Sequence, residues 1–597
     1  MIEGINIRTC GSNFKKMLNN KKVLLPSHSW NFYSRISVVE TKSYCSFSKP
    51  AYVRKKVTIR FTKEQLSSIF HPGTERPVMQ KTVNDLIGFG RVRKPQIDMT
   101  LLATVIHNAA KFDLKLPIRK FTDQLLDRKK GEISRIVFWR LLYGLKVLNF
   151  KSDDEFSEKL SLIRAMIPLI NSVDFDLDAQ AVCLSLYGLQ NLSSEFAEVR
   201  SFLKTLTPKI QTCRENLSSQ AVGTALLGLK NLISDHLEVR TLVSVLTPMV
   251  VACCEDLNSQ DVGSAFLGLK NLKSEHAEVR SLLAALTAKV QSCSEELKAQ
   301  HYSNVLLGLK NMSSDHEEVR ILLSVLTPKI QASSHDMRAQ GIGISLYGLQ
   351  NMSSEHAEVR LLLSVLAEKI KTRIQELDSQ ALGNALYGLR NMNSKYEEVR
   401  ALLTALTSCV SLCWETLQAQ EVGNALYGLK SMDSDHEEVR ALLRGGLTYK
   451  VMKCKEILTE KHIAMALYGL QNMKSDNAEV RQLLSVLTEK IESCKKSFGP
   501  IAVAHSLIGL QNMDFDCAEV VKIFQALKPK IENCRPRIGR LNAKSIVNRL
   551  RKRNGKHPLM LLIESSLKSA ASKDRVIIES VEVGSKADTP VCNDKEK

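Results

Sequence analysis

The chain has 597 residues, 44% of them apolar, and a formal net charge of +20. No stretch reaches the roughly 20 apolar residues needed to span a bilayer, so no membrane-spanning segment is expected. The charge is uneven: +11 over residues 1–63, +7 over 64–150, −8 over 151–520, +11 over 521–560 and −1 over 561–597. Either basic end can hold a polyanion without reading its sequence, whereas bulk charge excludes that kind of binding for the middle of the chain.

Residues 1–63 hold 13 Lys or Arg against Glu3 and Glu40. They contain no apolar core followed by a small-residue cleavage site, which excludes a secretory signal. The composition fits an organellar transit peptide, with the mitochondrial matrix expected and a plastid as the alternative. A disordered basic tail that binds nucleic acid or directs the chain to the nucleus is the competing reading. Residues 64–135 are expected to form a helical amino-terminal cap with degenerate repeats.

Residues 136–535 repeat. The phrase Ala-Leu-Tyr-Gly-Leu or a variant of it places glycine at Gly188, Gly228, Gly268, Gly308, Gly348, Gly388 and Gly428, always 40 residues apart. Gly469 and Gly509 follow after a one-residue insertion near Gly445-Gly446, and Leu142-Tyr143-Gly144-Leu145 is a worn earlier copy. Regular self-similarity of this length marks a stack of repeats in which each contacts mainly its neighbours.

Repeat positions are counted from Ala221, so that Gly228 stands at position 8. At about 100° per residue, Val222, Ala225, Leu226, Leu229 and Leu232 share one stripe of a first helix. After a polar turn, Val239, Leu242, Val243, Leu246, Val250, Cys253 and Leu257 keep three/four spacing in a second. Ser314-x-x-Glu317 reads as a capping box that starts this second helix. Pro208, Pro248 and Pro328 are expected to kink it or split it. The predicted fold is therefore all-α, a right-handed α-solenoid of about ten 40-residue helical hairpins. Glycine inside a helix costs about 1 kcal/mol relative to alanine, so its recurrence at position 8 predicts a close joint between repeats. Cys213, Cys253, Cys293, Cys413, Cys454, Cys494 and Cys534 share one place in their repeats without any C-x-x-C spacing. They read as buried free thiols in a reducing compartment, not as metal ligands.

Positions 0, 4, 7 and 11 point away from the apolar stripe. Position 0 is glutamine in Gln180, Gln220, Gln260, Gln300, Gln340, Gln380 and Gln420. Position 7 is tyrosine in Tyr187, Tyr347, Tyr387, Tyr427 and Tyr468. Position 11 is asparagine, as in Asn351 and Asn391, with Ser431 the exception, and position 10 is always Lys, Arg or Gln. Position 4 varies, through Thr224, Ser264, Asn304, Asn384, Asn424, Met465 and His505 among others; position 1 varies too. Constant amides and an aromatic beside a changing neighbour suit a surface that reads a polymer with a constant backbone and a variable side group. Single-stranded RNA fits. Amides and Lys would contact phosphate and sugar, Tyr would stack on bases, and position 4 would meet base edges. Three other readings stand: a groove for a protein partner, recent duplication that has not yet erased identity, and an Asn/Gln ladder that ties one repeat to the next.

The run Leu-x-Ser/Ala-Gln-x-x-x-Asn-Ala-Leu-Tyr-Gly-Leu-x-x-Met, at Leu377–Met392 and Leu417–Met432, resembles the octotricopeptide-type repeat. Related repeats occur in organellar RNA-binding proteins that carry a carboxy-terminal RAP domain. The resemblance covers about residues 140–535. It implies paired helices stacked into a superhelix, with organellar transcripts or ribosomal RNA bound along the inner face. It further implies a role in RNA processing, stability, translation or ribosome assembly. The chain departs from the family in its uniform, slightly acidic repeats and in lacking a recognisable RAP domain. Residues 536–560 form only a basic cap segment, and 561–597 are expected to be a disordered tail.

No catalytic constellation emerges. Gly88-Phe89-Gly90 lacks the third glycine and the preceding strand of a dinucleotide site. His236, His276, His316, His356 and His436 recur just before the second helix, which suits capping or a surface role and not a single general base. The expectation is a non-enzymatic, cofactor-free, metal-free monomer whose partner is single-stranded RNA. A protein scaffold of the HEAT or armadillo kind is the alternative, and the acidic repeats favour it.

Overall fold

The structure, a computed structural model, describes residues 37–41, 56–60, 63–88, 98–126, 133–148, 150, 156–372, 376–534, 540–555 and 557–570. The leader expected over residues 1–63 lies outside these, apart from one antiparallel strand pair, Ser37–Thr41 with Lys56–Arg60, and Lys63, which opens a helix. The rest of the described chain is helices and turns, in two compact units divided in sequence between Lys329 and Ile330.

In the amino-terminal half, helices Lys63–Ile69 and Arg76–Gly88 precede a series of hairpins. These are Met99–Lys111 with Ile118–Leu126, Arg135–Gly144 with Phe156–Asn171, Ala179–Tyr187 with Ala197–Gln211, Ser219–Leu227 with Leu237–Ala252, and Ser259–Gly268 with Ala277–Ser292. Ala299–Gly308 follows, and helix Glu317–Ala332 contains the boundary. The carboxy-terminal half continues with Ala339–Gly348 and Ala357–Thr372, Ser379–Gly388 and Glu397–Leu412, Glu460–Tyr468 and Ala478–Ser493, and Pro500–Gly509 and Ala518–Glu532. Between the second and third of these pairs, Ala419–Tyr427 faces a second helix that runs from Glu437 to Lys453 through a π-helical turn at Leu443–Leu447. That turn absorbs the one-residue insertion, with Gly446 at φ +138°, a conformation open to glycine. Within each half, first helices pack on first helices and second helices on second, which is the one-dimensional packing of an α-solenoid.

Two local expectations are corrected. The helices run unbroken through Pro208, Pro248 and Pro328, so proline does not split them. Each proline stands within the last turns, where the carbonyl it orphans lies on the exposed side. The proposed capping box also fails, because the helix starts at Glu317, three residues beyond Ser314. The equivalent serines have another task. Ser234 and Ser394 are fully buried, and their Oγ atoms accept the backbone N–H of Lys273 and Asp433 in the following repeat, both at 2.9 Å. Replacing Ser394 with alanine leaves the half-buried Asp433 N–H without its acceptor, a loss of about 1 kcal/mol. Urea unfolding of the full chain should show it as a lower midpoint.

Further rows join the repeats. Asn231 Nδ2 donates to Gln190 O at 2.7 Å, and Asn512 Nδ2 to Gln471 O at 2.7 Å. Lys329 Nζ donates to Cys293 O at 2.7 Å, and Lys490 Nζ to Cys454 O at 2.6 Å. Glu255 accepts the N–H of Ser219 at 2.7 Å, and Glu415 that of Ser379 at 2.9 Å, each finishing the first helix of the preceding repeat. The recurring cysteines sit just past the second helices as C-caps, and Cys253, Cys293, Cys413, Cys454 and Cys494 are buried.

The carboxy-terminal end also departs from expectation. Arg540–Asn554 packs on Pro500–Gly509 and Pro558–Ala570 on Ala518–Glu532, so a further hairpin extends the stack. The expected start of a tail at residue 561 falls inside a helix, because Leu559, Met560, Ile563 and Leu567 form a buried stripe.

Candidate functional site

The geometry of the first-helix face follows from the glycine at position 8. A Cβ on Gly388 would stand 1.9 Å from Leu346 O of the preceding repeat, and one on Gly428 1.9 Å from Leu386 O. Backbones this close bring the position 7 side chains together. Tyr347, Tyr387, Tyr427 and Tyr468 form one stack, with ring centroids 5.8, 5.7 and 5.8 Å apart and planes 20–29° from parallel. His505 closes it at 4.7 Å from Tyr468. In the amino-terminal half, His107, Tyr143 and Tyr187 make a shorter row at 4.6 and 5.6 Å.

The expectation that these tyrosines stack on bases is therefore corrected. Tyr347, Tyr387 and Tyr468 are only 4–8% exposed, and Tyr387 and Tyr427 have a neighbouring tyrosine ring on either side. The position 11 asparagines are likewise committed. Asn391 Nδ2 donates to Gln350 O at 3.0 Å, and Asn351 Oδ1 accepts from the Arg390 guanidinium. This is the inter-repeat ladder named above as an alternative, and it takes Asn351 and Asn391 out of the set free to meet a ligand.

The remaining candidates do share one face. Gln220, Gln260, Gln300, Gln340 and Gln380 are exposed; Gln420 is half-buried and donates to Asn424 Oδ1 at 2.9 Å. Thr224, Ser264, Asn304, Asn384, Met465 and His505 are half-buried beside them, and Asn424 is buried.

Position 10, with lysines expected from the sequence to meet phosphate and sugar, lies against the tyrosine stack. Arg390 lies 4.9 Å over the Tyr387 ring, bonds the Tyr387 hydroxyl, and donates from Nε to Gln350 O at 3.0 Å. Lys430 lies 5.3 Å over Tyr427, and Lys146 lies 5.1 Å over Tyr187. Burial pushes the Lys430 ammonium down to about 8, and the Arg390 charge adds to the effect. His505 is lowered first by burial and then by Lys430. Burial pushes the Tyr427 phenol up to about 12, against a downward pull from Arg390. Tyr468 is also raised by burial, against the pull of Arg549. Arg390, Lys430, His505 and Arg549 are thus electrostatic neighbours along one aromatic stack.

No acid stands at the positions that form this row. Positions 0, 4, 7, 10 and 11 carry no Asp or Glu in any repeat from Gln180 to Asn512. Asp261, Glu421 and Glu460 stand in the opening turns of their first helices, and most other acids of the repeats lie in the turns and on the second helices, where Arg280 Nε meets Glu318 at 3.3 Å and Arg400 Nε meets Glu438 at 3.5 Å. The acidic total of the repeats therefore says nothing about the first-helix face. Such a face can hold an extended anion by charge and amide hydrogen bonds.

Among the described residues, no group of three or more His, Cys, Asp or Glu could hold a metal ion, and no helix is long and apolar enough to cross a membrane.

No family model matches the sequence, and no curated protein matches it. Among solved structures, APUM23-GGAGUUGACGG is 11% identical over 85% of this chain and 98% of that one, with a TM-score of 0.29. Yeast Rmd9p in complex with a 16-nucleotide target RNA is 12% identical over 80% of this chain and 98% of that one, TM-score 0.29. SYS-1 is 11% identical over 86% and 96%, TM-score 0.15. All three TM-scores lie below 0.5, and none of these likenesses assigns the chain to a family.

Proposed function

We propose that the protein binds single-stranded RNA along its first helices, without catalysis, and acts in organellar RNA metabolism: processing, stability, translation or ribosome assembly. One observation carries the binding reading. Arg390 and Lys430 lie over a tyrosine stack, no carboxylate stands at positions 0, 4, 7, 10 or 11 of the first helices, and among the described residues no acid pairs with Lys430. A half-buried ammonium beside a guanidinium is unfavourable until an anion arrives. A phosphate backbone supplies one at each nucleotide. The exposed glutamines add sequence-neutral hydrogen bonds, and the changing position 4 residues can meet base edges. The octotricopeptide-like phrase and the acid-poor first 63 residues support the organellar role and a mitochondrial location.

Ultraviolet crosslinking of the purified chain to RNA, followed by peptide sequencing, tests the reading. Crosslinks should fall on first-helix peptides such as 379–392 and 419–432. Crosslinks confined to second helices, or none, would return the chain to the protein-scaffold reading. A pH dependence follows as well. RNA stabilises charged Lys430, so affinity should hold below pH 7 and fall as the pH rises through about 8. Fluorescence anisotropy at constant ionic strength would measure the fall, and Lys430→Arg should flatten it.

A further inference from the structure

We propose that the carboxy-terminal half carries a nucleobase pocket selective for guanine, placed where serine interrupts the asparagine row; this rests on the RNA-binding reading above. Ser431 keeps the inter-repeat tie, since its Oγ donates to Arg390 O at 3.2 Å, but its side chain is shorter than asparagine. In the next repeat, Gln471 and Asn472 both donate to Lys430 O at 3.0 Å. A cleft of about 310 Å³ opens here, lined by Asn393, Ser431, Asp433, Asn472, Lys474 and Asn512. Its size is at the lower end for small-molecule sites, roughly 300 Å³.

Every lining residue is polar, and their hydrogen-bonding capacity is uneven. Asn472 and Asn512 each commit a side-chain N–H to a backbone carbonyl, which leaves Oδ1 as an acceptor. Asp433 Oδ1 accepts from Asp435 N at 2.9 Å, and no hydrogen bond to Asp433 Oδ2 is found among the described residues. Lys474 Nζ is held by Asp435 and lies 3.9 Å from Asp433 Oδ1. The cleft thus sets the Asp433 carboxylate next to the Lys474 ammonium, among asparagines that can accept through Oδ1 or donate a second N–H.

That complement fits one base edge. Guanine presents two adjacent donors, N1–H and the N2 amino group, next to the O6 acceptor. Asp433 would take the two donors and Lys474 would give to O6. Adenine N1, cytosine N3 and the uracil carbonyls would set lone pairs against the carboxylate. Other repeats cannot form the same site. At this position they carry Ser193, Ile233, Lys273, Ser313, Ser353, Asn393 or Asp514; Lys474 has an acid in the repeat on either side, but only Asp433 shares its repeat with the serine that interrupts the asparagine row.

The test uses the full chain and labelled oligouridines of one length that carry a single internal guanosine, inosine, adenosine or cytidine. The guanosine oligomer should bind about tenfold tighter than oligouridine. Inosine, which lacks the N2 amino group, should lose part of that gain. Ser431→Asn copies the other repeats and fills the cleft; Asp433→Ser copies residues 313 and 353. Both should abolish the guanosine preference; Ser431→Asn should leave oligouridine affinity unchanged, and Asp433→Ser, which removes a negative charge, should leave it no weaker. Equal affinity for all oligomers, or a preference that survives Ser431→Asn, overturns the pocket while RNA binding stands. Failure of the chain to bind any of them overturns the RNA-binding reading itself.

Discussion

Replacing Arg390 and Lys430 together with glutamine should weaken RNA binding by about 10–100-fold and lower the salt slope by about 1.4, two single-strand phosphate contacts at roughly 0.7 each. Glutamine is the natural residue at this position in Gln350, Gln471 and Gln511, so the substitution stays within what the stack already accommodates. The slope is the more telling quantity. A variant that merely loosened the fold would lose affinity at every salt concentration without shedding counterions in this proportion. An unchanged slope would mean that these cations do not meet phosphate, and the stack of tyrosines beneath them would then be a structural seam alone. Binding isotherms across a salt series, with thermal unfolding as a control, decide between the two.

Gly388→Ala should destabilise the carboxy-terminal half by more than about 3 kcal/mol, because the new methyl group collides with backbone and not with a side chain that can turn away. The nearest atoms to that Cβ are Leu346 O at 1.9 Å and Leu346 C at 2.3 Å. Gly423 is the matched control. It too lies inside a first helix, but a Cβ there would meet His462 Cα at 3.4 Å, an ordinary contact. Gly423→Ala should therefore be neutral or gain up to about 1 kcal/mol from helix propensity. Urea unfolding of both variants compares them directly. Equal midpoints would disprove the close backbone joint and, with it, the reason the tyrosines meet.

Much of the architecture was legible in the 40-residue period, because leucine stripes and a fixed glycine leave few alternatives to stacked hairpins. The candidate site was legible only in outline. A helical wheel treats each helix alone, so Tyr387 and Tyr427 read as outward-facing. In the stack their neighbours lie 5.7–5.8 Å away on either side and cover the ring faces. Asn391 misled for a different reason: an amide that binds a carbonyl of the preceding repeat and one that binds a phosphate leave the same mark in a sequence. The signal that could have separated them was the variation at position 10, where Arg390 and Lys430 stand among glutamines while the asparagine beside them stays fixed. Ser314 was misplaced because the second helix starts later than the capping pattern allows, and its equivalents bond across repeats, which no local pattern reports.

Three of the rows that join the repeats run one way, against the serine row, in which Ser394 of the earlier repeat accepts the Asp433 N–H of the later one. Glu415 finishes the helix that begins at Ser379, Lys490 satisfies the carbonyl of Cys454, and Asn391 satisfies that of Gln350. In these three rows the group supplied comes from the later repeat and the group completed belongs to the earlier one. A chain emerging amino terminus first, from a ribosome or through an import pore, cannot close any repeat until most of its successor has also emerged. Assembly then proceeds like a zip that is always one tooth behind the slider. The most recently emerged repeat is the open one, and a chain stalled partway would present that unfinished edge to chaperones or proteases.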